Sequence, residues 1–158
     1  MINYKKTARI LIPLVGGSIV GRLTVKAQQD YKNYKKPPFS PPPIAFPIVW
    51  PILYTGMGLS YNLAYEKYED KSISIAHYVQ LGLNYAWSFL YFNLKLRGIA
   101  LIESFCLLAA AIVAVVKFYE SDKRAGLMMV PYVTWLSYAS YLNAGSWLLN
   151  RDDSSYAN

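Results

Sequence analysis

Trp50, Trp87 and Trp135 each lie several turns inside a long apolar run, away from the charged clusters that bound those runs. Tryptophan and tyrosine commonly mark a membrane–water boundary. Indoles at depth on three separate segments can instead line one cavity and stack on a flat aromatic ligand. Periodicity alone gives equal weight to the alternative, in which they pack the core or face lipid. Phe46, Trp50, Tyr54, Met57 and Tyr61 recur at three- or four-residue spacing and so share one helical face. His77, Gln80, Asn84, Trp87 and Tyr91 do the same in the next run, and a later run carries Tyr132, Trp135, Tyr138, Ala139, Leu142 and Asn143.

Polar side chains inside such runs are costly in hydrocarbon and turn toward the interior or a cavity. Asn84 and Asn143 are therefore candidate cavity residues, and Gln80 is a weaker one because it lies nearer a helix end. A plain hydrogen bond between helices explains them equally well. Glu103, about one turn into its run, is expected to reach the interface rather than to relay protons. His77, the sole histidine, has no cysteine nearby and makes a poor metal ligand. The chain shows no His/Cys cluster of metal spacing, no glycine-rich phosphate loop, no G-x-S-x-G elbow and no deep pair of carboxylates. No metal and no required cofactor are expected.

The elements that must hold these residues are five apolar spans, at about 8–26, 44–65, 73–92, 98–118 and 125–150. Each gap between charged clusters is near the roughly 20 residues an α-helix needs to cross a bilayer core. The expected fold is an all-α integral membrane protein, a single domain over 1–158 built as a bundle of five transmembrane helices. Pro13 is a potential kink in the first span, and Gly17-xxx-Gly21 is a notch for close helix packing. Residues 27–43 form a lid loop, with Lys32, Lys35 and Lys36 ahead of the proline run KPPFSPPP. Proline has no N–H to give, so this run is a stiff extended loop that ends in the first turn of the second helix. The segment RDDSSYAN after the last span is polar and expected to fray. Tyr31, Tyr34, Tyr65, Tyr68, Tyr119 and Tyr156 read as belt or loop residues.

Of 158 residues, 54% are hydrophobic and 16% charged, and the formal charge is +7. The lysines and arginines sit between apolar runs, as juxtamembrane residues do, and not on one solvated face, so no nucleic-acid partner is expected. Their numbers tie on the two sides of the bundle, which leaves the orientation open. The single cysteine, Cys106, lies in an apolar run as a buried or lipid-facing packer, and no intrachain disulfide is available. The basic, apolar start resembles a signal peptide but is followed by Arg22 and Lys26 with no A-x-A site, so it reads as a retained first helix.

Three blocks give the chain a resemblance to the translocator protein family (TspO/MBR, the peripheral-type benzodiazepine receptor family). They are Tyr31 through KPPFSPPP into FPIVWPILY, then LGLNYAWSFLYF, then AGLMMVPYVTWLSYASYLN, in the family's order and across most of the chain. The resemblance, closest to bacterial members, implies a five-helix bundle, usually a homodimer, in the cell membrane (the mitochondrial outer membrane in a eukaryote). It implies a cavity under the first loop that binds tetrapyrroles such as protoporphyrin IX and haem, and benzodiazepine-site ligands, in porphyrin handling or stress response. Trp50 and Trp135 match the pocket tryptophans tied in some bacterial members to light-dependent oxidative breakdown of protoporphyrin. Asn84, Trp87, Ala139 and Leu142 match other pocket positions, and Tyr31 and Pro42 match the lid; Phe46 and Tyr54 join them from the aromatic face.

Two departures stand out. Tyr141 is followed by LNAGSWLLN before Arg151, too long a gap for the Leu/Val…Tyr…Lys/Arg sterol pattern, which argues against cholesterol. Phe89 stands where the family often has proline. The leading expectation is a porphyrin-binding receptor or carrier. An enzyme that degrades protoporphyrin, with Trp50 and Trp135 as redox participants, is the alternative; a small-solute transporter is weaker, since no internal repeat is visible.

Overall fold

The computed structural model describes residues 3–156, and among them there is no β-strand. Six α-helices follow in order: α1 (Tyr4–Thr24), α2 (Ala45–Lys67), α3 (Lys71–Ser88), α4 (Arg97–Ser121), α5 (Lys123–Met128) and α6 (Val130–Asn150). The expected fifth span is thus two helices, broken at Met129 just ahead of Pro131, whose missing N–H suits the first turn of α6.

The helix starts are chemically marked. The Asn3 side chain accepts the Lys6 N–H, Asp70 accepts the Ser72 N–H and Asp122 accepts the Arg124 N–H, each satisfying a donor the first turn leaves open. The Ser72 hydroxyl and N–H together hold the Asp70 carboxyl below its ordinary range. Two irregular pieces were not expected. Residues Ala27–Asn33 of the lid form a 3₁₀ helix, and Phe89–Asn93 at the end of α3 form a π turn. The π turn sits where the family's proline is absent, so α3 departs from regular geometry there without one.

The helices run up and down, with α1 against α2 and α3, α3 against α4, α4 against α5 and α6, and α2 closing the ring on α5. The half of the bundle away from the lid is tightly packed by small side chains. Ala64, Ala111, Ala114, Ala125 and Phe118 are fully buried, and the Ser60 and Ser121 hydroxyls donate to the Ala125 and Ala64 carbonyls. Outward faces are apolar: Leu11, Val15 and Ile19 on α1, Ile48 and Ile52 on α2, and Ile102, Phe105 and Val113 on α4 are exposed, a surface suited to lipid. By length and composition alone, α4 is the described helix apolar enough to cross a membrane, with a mean hydropathy of 2.6 over its best window. Cys106 is on its exposed side.

The α1–α2 crossing depends on Gly58, where any Cβ would overlap the Ile10 carbonyl oxygen, whereas Gly56, two residues away, has open space. Gly58→Val is expected to destabilise the protein by about 1–3 kcal/mol through overpacking. Gly56→Ala is expected to be neutral or to stabilise by about 0.5–1 kcal/mol. Thermal midpoints of the two variants in detergent check the contrast, and equal midpoints would rule out this close approach.

Candidate functional site

Toward the lid the bundle is hollow. A cavity of about 630 Å³ lies between α1, α2, α3, α4 and α6, and a second lobe of about 320 Å³ lies above it under the lid. The lobes share Val25, Gln28, Pro43, Phe46, Pro47, Trp87, Phe92 and Ala139, so they adjoin and are described together as one two-lobed chamber.

Its wall is built of rings. Trp50 stacks on Tyr54 with centroids 5.3 Å apart and meets Trp135 edge-on at 6.4 Å. Phe46 packs edge-on against Trp135 at 5.9 Å, and Trp87 stacks on Tyr91 at 4.9 Å. These rings come from α2, α3 and α6, and Trp87 reaches both lobes. The edge-to-face and offset contacts suit the ring quadrupoles and hold each indole against a neighbour.

Below the rings a buried polar relay joins the same three helices. The Tyr54 hydroxyl donates to Asn84 Oδ1, and Asn84 Nδ2 donates to the Tyr132 hydroxyl at 3.2 Å. Tyr132 in turn donates to Gln80 Oε1 at 2.7 Å, and Gln80 Nε2 points to the Met57 sulfur at 3.2 Å. His77 lies beyond it, fully buried and stacked on Tyr61 at 4.0 Å.

The lid is fastened to α6 through its own carbonyls. Tyr138 donates to the Phe39 carbonyl, Tyr141 to that of Pro38 at 2.8 Å, and Asn150 both accepts from Lys35 N–H at 2.9 Å and donates to Lys35 O at 2.8 Å. A proline run offers acceptors and no donors, and α6 supplies the matching hydroxyl and amide donors. Phe39 turns the lid in the left-handed region, φ 61°, and leaves its ring 90% exposed. Lys32 and Lys36 stand at the rim of the upper lobe with Tyr31, whose hydroxyl burial pushes above its ordinary value.

The structure gathers Tyr31, Phe46, Trp50, Tyr54, Asn84, Trp87, Trp135, Ala139 and Leu142 around this chamber. Pro42 does not line it. That residue is exposed and its carbonyl accepts the Ala45 N–H, while Pro41 and the likewise exposed Pro43 both line the chamber. Met57 and Tyr61 share the α2 face but belong to the packed core below. Asn143 lines the upper lobe, though its amide makes no hydrogen bond among the described residues. Glu103 departs from expectation, because both carboxylate oxygens are enclosed with no hydrogen-bond partner among the described residues instead of reaching the helix end. Tyr156 also departs, being fully buried and not frayed. Ser104 and Leu107 of α4 line the lower lobe and carry no aromatic or amide signal that could have pointed to them. Gly17 and Gly21 divide the notch on α1: Gly17 backs onto the Tyr54 ring, and Gly21 faces the cavity with nothing near it. Among the described residues no three His, Cys, Asp or Glu side chains are grouped to hold a metal.

Comparison with known proteins gives a consistent set of matches. The model of the TspO/MBR family matches residues 9–148. A translocator protein homolog of Schizosaccharomyces pombe is 34% identical over 146 residues, 89% of this chain and 88% of the relative. The tryptophan-rich protein TspO of Archaeoglobus fulgidus is 34% identical over 149 residues, 92% of this chain and 97% of its own length. A tryptophan-rich sensory protein of Cereibacter sphaeroides is 30% identical over 127 residues, 80% of each chain.

Tyr132→Phe removes the hydroxyl shared by Asn84 and Gln80 and leaves both amides short of a partner. A loss of about 1–3 kcal/mol is expected, read as a lower thermal midpoint. An unchanged midpoint would mean the relay does not hold the three helices together.

Proposed function

The chain belongs to the TspO/MBR family of membrane proteins, and from that premise we propose that it binds porphyrins in the two-lobed cavity, in porphyrin handling or stress response. In this reading α1, α2, α3, α4 and the α5–α6 pair make five crossings of the cell membrane, two copies associate, and the lid closes one mouth of the bundle. Benzodiazepine-site ligands would occupy the same space.

The observation that supports this most is the meeting of Phe46, Trp50, Tyr54, Trp87 and Trp135 around 630 Å³ of space beneath a lysine-bearing lid. That volume falls within the roughly 300–1,000 Å³ of small-molecule sites. A tetrapyrrole presents a wide flat π face to such rings and carboxylate propionates at its edge. In this reading Lys32 and Lys36, which line the upper lobe, would meet those carboxylates, and the apolar wall would take the macrocycle. No catalytic group is needed for this, and the protein's contribution is shape, stacking and charge.

A second reading is favoured by the Trp50–Trp135 pair, whose rings meet at 6.4 Å. Beside a light-excited porphyrin, with dioxygen as oxidant, two adjoining indoles could serve as redox participants in its oxidative breakdown.

Titration of purified protein with protoporphyrin IX, followed by Trp fluorescence, tests the binding reading. Stacking contributes about 0.5–1.5 kcal/mol per ring. Trp50→Ala with Trp135→Ala should therefore weaken binding roughly 5- to 150-fold, and unaltered affinity in that double variant removes the site. Illumination of the complex in air decides the second reading. Trp50→Phe with Trp135→Phe should keep the porphyrin bound yet lose a product spectrum that free porphyrin does not give, and no such product from the parent protein ends it.

A further inference from the structure

The segment after α6 turns back on the bundle. Asp153 N–H donates to the Asn150 carbonyl and Tyr156 N–H to that of Asp153, both at 2.9 Å, and the turn delivers Tyr156 to a fully buried position. There its ring lies over the Arg97 guanidinium, 4.3 Å from Arg97 Cζ to the ring centroid, and Arg97 Nη1 donates to the Tyr156 carbonyl at 2.9 Å. Arg97 is 1% exposed and makes no ion pair among the described residues. A buried guanidinium without a carboxylate is unfavourable unless other groups replace its water. Aromatic faces do so here, from Tyr156, from Tyr34 at 4.6 Å and from Tyr91 at 5.5 Å.

The three tyrosines come from different parts of the chain, and one of them, Tyr91, lines the cavity. Tyr34 ends the 3₁₀ part of the lid, packs edge-on to Tyr156 at 4.9 Å and donates its hydroxyl to the Ser155 carbonyl at 2.8 Å. Tyr91 is upper-lobe wall, stacked on Trp87, with its hydroxyl 3.2 Å from that of Tyr156. The rest of the lid has its own fastening, since Lys35, Pro38 and Phe39 are bonded to α6 independently. The flank at 27–34 is held instead by the returning segment, by Gln28 Nε2 donating to Thr24 Oγ1 at 2.9 Å, by Tyr31 edge-on to Tyr91 at 6.3 Å, and by an exposed ion pair, Lys95 to Asp30 at 3.0 Å, of a kind that contributes little.

We propose that Arg97 and Tyr156 are positioning residues for the cavity: docking of residues 151–156 in the Arg97–Tyr34–Tyr91 cage holds lid flank 27–34 over the upper lobe, and release of that segment admits and frees ligand. The ligand part rests on the porphyrin reading above; the lid part does not.

The full chain in nanodiscs is compared with Tyr156→Ala, Tyr156→Leu and Tyr156→Phe. Without ligand, amide hydrogen exchange over residues 27–34 should quicken at least about tenfold, or about 1.4 kcal/mol, in the Ala and Leu variants, with exchange in α2 unchanged. Leu keeps apolar bulk and gives the guanidinium no ring, so it stands in if Ala does not fold. Phe keeps the ring and the carbonyl and should match the parent. With protoporphyrin IX in stopped flow, association and dissociation should both quicken in Ala and Leu by a similar factor, leaving Kd nearly the same. Unchanged exchange at 27–34, equal quickening throughout α2, or a Phe variant as fast as Ala would each overturn the proposal. Failure of the parent to bind porphyrin would instead sink the binding reading, with exchange still deciding the role of the cage.

Discussion

Tyr132 has one hydroxyl, and two buried amides on α3 depend on it. That shared group fixes how α2, α3 and α6 meet. Each donor in the relay from Tyr54 through Asn84 and Tyr132 to Gln80 spends its proton on the next residue, so the chain has one direction and one register. A slip of any helix by one residue would strand a polar group where no water can replace the lost partner, which is costly in an apolar interior. Because the same three helices carry Trp50, Trp87 and Trp135, the relay also sets the heights of the indoles.

Above and below this joint the bundle uses opposite kinds of residue. Below it, Gly58 lets α2 touch the α1 backbone, and buried alanines let α4 and α5 close in. Above it, rings hold the helices apart. Trp50 and Trp135 brace one another and Phe46 braces Trp135, so neither indole can fold into the space between them without losing a packed neighbour. Close packing at one end and rigid spacers at the other leave the bundle solid below and hollow toward the lid.

The aromatic faces of α2 and α3 were legible because helical periodicity is a local property of the chain. Where along each face the core gives way to the cavity was not. Met57 and Tyr61 continue the stripe of Phe46, Trp50 and Tyr54, and only the heights of the neighbouring helices place them in the core. Pro42 illustrates a finer limit, since the prolines on either side of it line the chamber and it does not. Arg97 read as one more loop cation and Tyr156 as part of a frayed end. Their contact spans 59 residues of sequence and belongs to no periodic pattern. The break at Met129 has a local cause in Pro131, which starts a new helix more readily than it continues one, whereas the π turn at Phe89 carries no proline or glycine signal in the run FLYFN.

The lower lobe, of about 630 Å³, is not a sealed core void, because Ser18, Gly21, Arg22, Val25 and Pro47 on its lining are themselves exposed. The chemistry of the lining therefore constrains an occupant more than the volume does. The Tyr54 and Asn84 groups are engaged in the relay, while Ser18, Arg22, Thr24, Gln28, Ser88, Ser104 and Ser140 place further polar side chains along the lower lobe. The rest of the lining is mostly ring and aliphatic carbon, with Arg22 on the lower lobe and Lys32 and Lys36 on the upper. A ligand complementary to that lining would be apolar over most of its surface, with its polar or anionic groups turned toward Arg22, Lys32 or Lys36.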